Sequence, residues 1–263
     1  MSTPVAKSGE LTVVGTGFRV AGQVTTEALA AIHAAERLVF LASDPVTRDW
    51  LASLPVESES LYDAYRRGRN RHESYAEMRE RILAPVRLGR RVCAAFYGHP
   101  GVFASVGHDV VREARELGFA ARMLPGVSAL DCLVVDLAFD PAEGCQMFEA
   151  TDFLLRRRRA DPSTSLVLWQ IGAIGITDFR PEASWEGPGL GVLAEVLAGI
   201  FGPEHEVVIY EAPLLPGFAP RRERLRLEAL AGARVTTAST LFVPARERHS
   251  TDEAMRRRLR FEP

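Results

Sequence analysis

Cysteine is scarce in this sequence. Cys93, Cys132 and Cys145 lie far apart and form no CxxC pair. That excludes a disulfide framework or a paired-cysteine metal site and fits small buried thiols in a reduced cytoplasm. Long apolar runs are missing too: none approaches the roughly 20 residues of a membrane helix. The start, MSTPVAKSGELTVV, has no basic segment leading into an apolar one, so no signal peptide is expected. Charge of one sign is not in excess. With a formal net charge of -2 and mixed signs along the chain, there is no general attraction to nucleic acid or an anionic membrane. Lysine is nearly absent, Lys7 standing alone among arginines, a bias to which no function attaches. None of the six histidines has the spacing of a metal site. The expectation is a soluble cytoplasmic protein that needs no metal.

What is present is ordinary globular material: 263 residues, 47% hydrophobic and 25% charged, enough for one large domain or two small ones. In the first half, short apolar runs at Leu11 to Val14, Leu38 to Leu41, Val92 to Phe96 and Ala120 to Leu124 read as strands. Between them lie helical patterns: one capped by Thr25 or Thr26 with an apolar face of Leu29, Ile32 and Ala35, then Glu73 to Leu88 and Val106 to Leu117. This alternation predicts an open sheet with helices on both faces. After Leu137 the stretch AFDPAEGC breaks the rhythm, and strands of different spacing follow at Leu166 to Gln170, Val207 to Tyr210 and Leu241 to Val243. A boundary is expected there, giving an N-terminal α/β subdomain over 1–137 and a C-terminal one over 138–263. The run Arg156 to Arg159 reads as a solvated helix end.

Four stretches could carry chemistry. VVGTGF, Val13 to Phe18, ends a strand in two close glycines, which let a backbone approach a ligand. Val20 stands where a dinucleotide fingerprint needs glycine, and a tight turn without a ligand explains the stretch equally. FYGHPGVF, Phe96 to Phe103, also ends a strand, where open α/β sheets bind ligands. A Pro-Gly turn with buried aromatics is its plainer explanation. LYDAYRRGRNRHESY, Leu61 to Tyr75, gathers three tyrosines and four arginines. If a helix begins near His72, Arg71 and Tyr75 share a face, and the guanidinium would favour a deprotonated phenol; Tyr65 would reach the same place from the preceding loop. An amphipathic rim accounts for the same residues. MLPGVSALD, Met123 to Asp131, offers Ser128 as a helix cap whose amide and hydroxyl could also hold a carboxylate.

In order along the chain, VVGTGF, YGHPGVF, LPGVSA, LVLWQIG and VVIYEAPLLP resemble the tetrapyrrole (precorrin) methylase fold, two α/β subdomains with the cofactor cleft between them. More narrowly, the pattern LYxxYxxGxxRxxxY with FYGHPGVF, MLPGVSAxDCL and EATDFL resembles the methyltransferase domain of borosin precursors, enzymes that N-methylate peptide backbones. The likeness runs from about Glu10 to Arg258. It implies S-adenosylmethionine as cofactor and S-adenosylhomocysteine as product. It also implies a catalytic set of Tyr65, Arg71 and Tyr75 with Tyr97 nearby. The implied cofactor contacts are His99, Val102, Phe103, Ser128, Ala129, Gln170, Tyr210, Ala212, Ser239 and Thr240, and a homodimer is implied as well. The fused members of that family carry their own core peptide; this sequence stops at Pro263, which predicts a split system methylating a separate precursor peptide, in a dimer or a 2:2 complex, the alternatives being a methylase of a tetrapyrrole or other small molecule and a non-catalytic cofactor- or peptide-binding module.

Overall fold

The computed structural model describes residues 8–180, 188–247 and 250–261. Two compact units are present. The first holds the chain up to Ala138 together with residues 176–180 and Ala212–Pro220; the second holds Phe139–Gly175, 188–211 and the chain from Arg221.

The first unit alternates strand and helix. It contains β1 (Glu10–Gly15), α1 (Thr26–Ala34), β2 (Arg37–Leu41), α2 (Pro45–Ala52), β3 (Ser58–Ser60), α3 (Arg71–Arg87), β4 (Arg91–Phe96), α4 (Ser105–Glu116), β5 (Ala120–Met123) and α5 (Ala129–Leu137). The strands form one sheet in the order β3-β2-β4-β1-β5 and pair in parallel throughout. A parallel sheet is covered on both faces, so its strands are continuously apolar. Alternate residues accordingly feed two cores: Leu11, Val13, Val92 and Ala94 pack with Met78, Ile82 and Val110 on one side. Val14, Leu38, Phe40 and Cys93 pack with Ala28, Ile32 and Leu51 on the other. Burial pushes the Cys93 thiol up to about 12, the mark of an inert structural thiol.

Helix starts follow local chemistry. Thr25 accepts a hydrogen bond from the Ala28 amide at 3.0 Å, Asp44 from Thr47 at 2.8 Å, and Asn70 from His72 at 2.8 Å. Each satisfies an amide that the first turn leaves without a helical partner. The Asn70 cap starts α3 at Arg71, slightly earlier than its apolar spacing suggests. The buried face of α1 is Ala28 and Ile32, with Leu29 only half-buried.

The second unit contains β6 (Cys145–Glu149), α6 (Ala150–Leu155), β7 (Ser165–Trp169), α7 (Gly189–Phe201), β8 (Glu206–Glu211), β9 (Arg221–Arg226), β10 (Thr240–Val243) and α8 (Glu253–Arg258). Its sheet has the order β6-β7-β10-β8-β9, with only β6 and β7 parallel. Leu193, Leu197 and Phe201 of α7 bury against Leu166, Leu168, Val207 and Ile209 of the sheet. Arg156 follows α6 and, with Arg158, pairs with Asp152, so this part of the arginine run is an ion-paired helix end. Among the described residues no helix is long and apolar enough to cross a membrane.

Candidate active site

Because every strand of the first sheet points the same way, the loops that leave β1, β3, β4 and β5 gather at one carboxyl edge. Three of them meet through missing side chains. Gly17 and Gly98 exchange backbone hydrogen bonds, at 2.8 Å and 3.3 Å. A Cβ on Gly15 would lie 2.3 Å from the Gly98 oxygen, 2.8 Å from Pro100 Cδ and 3.2 Å from Gly126 Cα. The loops of VVGTGF, FYGHPGVF and LPGVSA are therefore one assembly.

Within it, the Gly101 amide donates to His99 Nδ1 at 3.0 Å, so a neutral His99 carries its hydrogen on Nε2. His108 Nε2 lies 2.9 Å from the Gly101 oxygen and holds that glycine from the other side. Val102 and Phe103 are exposed apolar residues, and Phe103 takes a left-handed φ of 53°, a strained conformation for a bulky residue. Ser128 caps α5, but its hydroxyl and amide both donate to Asp131 Oδ2, each at 2.6 Å. The groups offered to a carboxylate are engaged within a capping box. Ala129 begins the helix behind it.

The tyrosine segment follows β3. Arg81 fixes its start, its Nε donating to Glu59 at 2.7 Å, Nη1 to Asp63 at 2.8 Å and Nη2 to the Ser60 carbonyl at 2.8 Å. Arg37 also pairs with Glu59. Burial of Glu59 is outweighed by hydrogen bonds from Arg37 and Arg81, which hold its carboxyl below the ordinary glutamate value. A depressed folded-state pKa gives stability that is present above the ordinary value and lost as pH falls through the depressed one. Melting temperature should therefore drop as pH is lowered below the ordinary glutamate value, with no loss from this group at neutral pH, and Glu59→Gln should flatten that acid slope; an unchanged slope would contradict the assignment.

Tyr65 leaves a short 3-10 turn, Tyr62–Ala64, and meets Tyr75 of α3 edge to face, with ring centroids 6.4 Å apart. Arg71 opens α3 one turn before Tyr75, which places both on one helix face. Tyr97, at the end of β4, stands edge-on to Phe18 at 6.2 Å and is 41% exposed. Its hydroxyl end is nonetheless crowded by protein, and burial first, then Tyr75, raises its pKa against the opposing pull of Arg71. Tyr65 is raised well above the ordinary phenol value by burial, by Tyr75 and Tyr97, and by a hydrogen bond with Tyr75; Arg71 opposes these only in part. Of the two tyrosines that could supply a phenolate, this weighs against Tyr65, because removing the phenol from water costs its anion more than the guanidinium returns.

Sequence reasoning missed Phe179. Its ring stacks on Tyr65 at 4.9 Å with planes 16° apart, and no local signal marks it.

The remaining expected residues lie in the second unit, Ala212 excepted. There β7 and β8 end at the edge where β10 begins, which brings Gln170, Tyr210, Ser239 and Thr240 together. Gln170 is left-handed, at φ 59°; Tyr210 and Thr240 are partners across the ladder. Glu211, also unanticipated, accepts from the Ser239 hydroxyl, from Thr236 Oγ1 at 3.0 Å and from Arg221 Nη1 at 2.9 Å. Ser239 Oγ in turn accepts from the Thr236 amide at 2.8 Å. Ala212 follows β8.

One parallel and one mixed sheet, with loops gathered at their strand ends, define an α/β protein of two units. The solved structure of uroporphyrin-III-C-methyltransferase from Thermus thermophilus aligns with a TM-score of 0.63 at 21% identity, covering 94% of this chain and 99% of that one. A structure of the Thermus thermophilus enzyme complexed with S-adenosyl homocysteine aligns at TM-score 0.63 and 18% identity, covering 94% and 99%. At these identities the likeness establishes the fold. The profile of the Tetrapyrrole (Corrin/Porphyrin) Methylases matches residues 10–238, and the chain belongs to that family.

Sequence relatives are more specific. The methyltransferase and ribosomally synthesized cyclic peptide lentinulin A precursor of Lentinula edodes is 39% identical over all of this chain and 64% of its own length. The corresponding omphalotin A precursor of Omphalotus olearius is 38% identical, over 98% of this chain and 63% of its own length. This chain thus spans under two thirds of the relatives it matches.

Proposed function

We propose that this chain is an S-adenosylmethionine-dependent methyltransferase that methylates backbone amide nitrogens of a separate precursor peptide. The observation that carries the proposal is the clustering of Tyr65, Arg71, Tyr75 and Tyr97 at the carboxyl edge of the first sheet, beside the glycine-built loops. The names of the relatives, each joining a methyltransferase to a peptide precursor, support the substrate class.

The residues fit such a cofactor. The Gly15, Gly98 and Gly126 contact leaves no room for a Cβ and opens backbone to a ligand. A neutral His99 carries an Nε2 hydrogen, and Val102 and Phe103 present exposed apolar surface. Gln170, Tyr210, Ala212, Ser239 and Thr240 remain proposed contacts on the strength of their motifs. When bound, the cofactor supplies a sulfonium methyl group, an electrophile that needs no metal.

The difficulty lies in the acceptor, since an amide nitrogen has its lone pair delocalised into the carbonyl. Tyr65 and Tyr97, held neutral by burial, donate hydrogen bonds to the amide oxygen as imidate character develops, and Arg71 stabilises the charge there. Tyr75 is the proposed base for the N–H proton. The glycine-built loops would hold the cofactor, which would supply the methyl group that the amide nitrogen takes as its proton leaves.

The segment 253–258 is a poor acceptor. Residues 253–258 form the arginine-rich α8, whose amides are tied into a helix, whereas the proposed reaction needs an extended backbone. The proposal includes a homodimer, tested by whether light scattering gives twice the chain mass, and a cytoplasmic setting, supported by three free thiols.

Incubation with S-adenosylmethionine and a peptide bearing an apolar C-terminal segment should add methyl groups that tandem mass spectrometry places on backbone nitrogens. Methylation confined to side chains, to a porphyrin-like small molecule or to this chain's own C-terminus would reject the proposal.

A further inference from the structure

Tyr65 sits on a part of the chain with little intrinsic rigidity. It follows the turn Tyr62–Ala64 with extended backbone and precedes Gly68, whose φ is +72° with nothing near its missing Cβ. What confines it comes from more than a hundred residues away. Residues 176–180, between β7 and α7, run antiparallel along 68–71. Phe179 N donates to the Arg69 oxygen at 2.9 Å, Gly68 N to the Phe179 oxygen at 3.0 Å and Arg71 N to the Thr177 oxygen at 3.0 Å, with Asn70 and Asp178 paired as a bridge. The Phe179 backbone is thus held by both its donor and its acceptor.

Its ring lies flat on Tyr65 and stands edge-on to Tyr62, with centroids 6.5 Å apart and planes at 87°. Tyr62 and Tyr75 close the other sides of Tyr65, at 6.3 Å and 6.4 Å. The Arg48 guanidinium covers Tyr62 at 4.2 Å, so the ring behind is itself anchored. We infer that Phe179 is a positioning residue. Carried on the 177–179 strap, it fixes the plane of Tyr65, edge to face with Tyr75. The inference rests on the tyrosine cluster being the methyl-transfer site. A stacked aromatic plane determines the neighbour's χ2, whereas mere filling of volume does not.

The distinction decides the test. Phe179→Ala should lower kcat about 100-fold, the scale of an ångström-level misplacement, with S-adenosylhomocysteine affinity by calorimetry unchanged. Phe179→Leu keeps most of the volume without a flat face, so it should melt near wild type yet stay impaired. Phe179→Tyr should restore kcat to within a few-fold. A fully active Phe179→Leu overturns the inference, and this pair decides the matter even where the alanine variant fails to fold. A readout independent of turnover separates this inference from the functional proposal: in tyrosine-labelled protein, NMR should show slow ring flips of Tyr65 that become fast in Phe179→Leu. Unchanged flips refute the positioning role whatever the substrate proves to be.

Discussion

Replacing Arg71 by Ala or Tyr75 by Phe should lower peptide methylation by about 10²–10⁴-fold, the range for loss of a proton-transfer group or of one preorganised charge-stabilising donor. S-adenosylhomocysteine affinity should stay nearly constant, because these groups are assigned to the amide and not to the sulfonium. Tyr65→Phe should also lose activity, through the oxygen and not through the proton: its hydroxyl is held neutral by burial and by Tyr75, which suits a donor and not a base. Single-turnover measurements with saturating cofactor would separate chemistry from binding. Arg71 forms the first turn of α3, and its backbone amide still reaches the Thr177 oxygen whatever its side chain. Little destabilisation is therefore expected. Full activity in all three variants would remove the tyrosine cluster from the mechanism.

Gly15→Ala is expected to damage both folding and cofactor binding. The added methyl would sit 2.3 Å from the Gly98 oxygen and close to Pro100 and Gly126, groups that are backbone or ring and cannot swing aside. Overpacking of this kind costs on the order of 1–3 kcal/mol, a fall of several degrees in Tm for a protein of this size. Relief would have to come from separating the two loops, which moves His99, Val102 and Phe103 together, so affinity for S-adenosylhomocysteine should drop at least tenfold. Gly199→Ala is the control. It lies within α7 with nothing within 4 Å of the added carbon and should be neutral or gain roughly 0.5–1 kcal/mol from reduced chain entropy. Calorimetry and thermal melting of both variants check this. An unperturbed Gly15→Ala would mean that the loops are not locked together as described.

Much of the fold was legible because local pattern and burial coincide. The runs at Val92 to Phe96 and Leu38 to Leu41 are apolar at successive positions because a parallel sheet buries both faces. A helix cap at Thr25 or Thr26 followed from local chemistry, and the structure settles it on Thr25. Other elements gave no such signal. Strand β3 is three polar residues, Ser58–Ser60, and β9, RRERLR, lies at a sheet edge with most of its side chains in water. Nothing in their composition announces a strand, since partner strands supply the backbone bonds.

The same division runs through the candidate site. The spacing of Arg71 and Tyr75, the glycines at positions 15, 17, 98 and 101, and the apolar pair after His99 follow from the sequence alone, because each depends on residues within a turn or two of one another. The tertiary structure decided two further matters. It buried Tyr65, which raises that phenol's pKa, and laid Phe179 across it. A one-dimensional pattern records whether a side chain faces water along its own element. It does not record how much protein surrounds a hydroxyl, or which distant segment lies beside it, and those quantities set a phenol's ionisation and hold its ring in place.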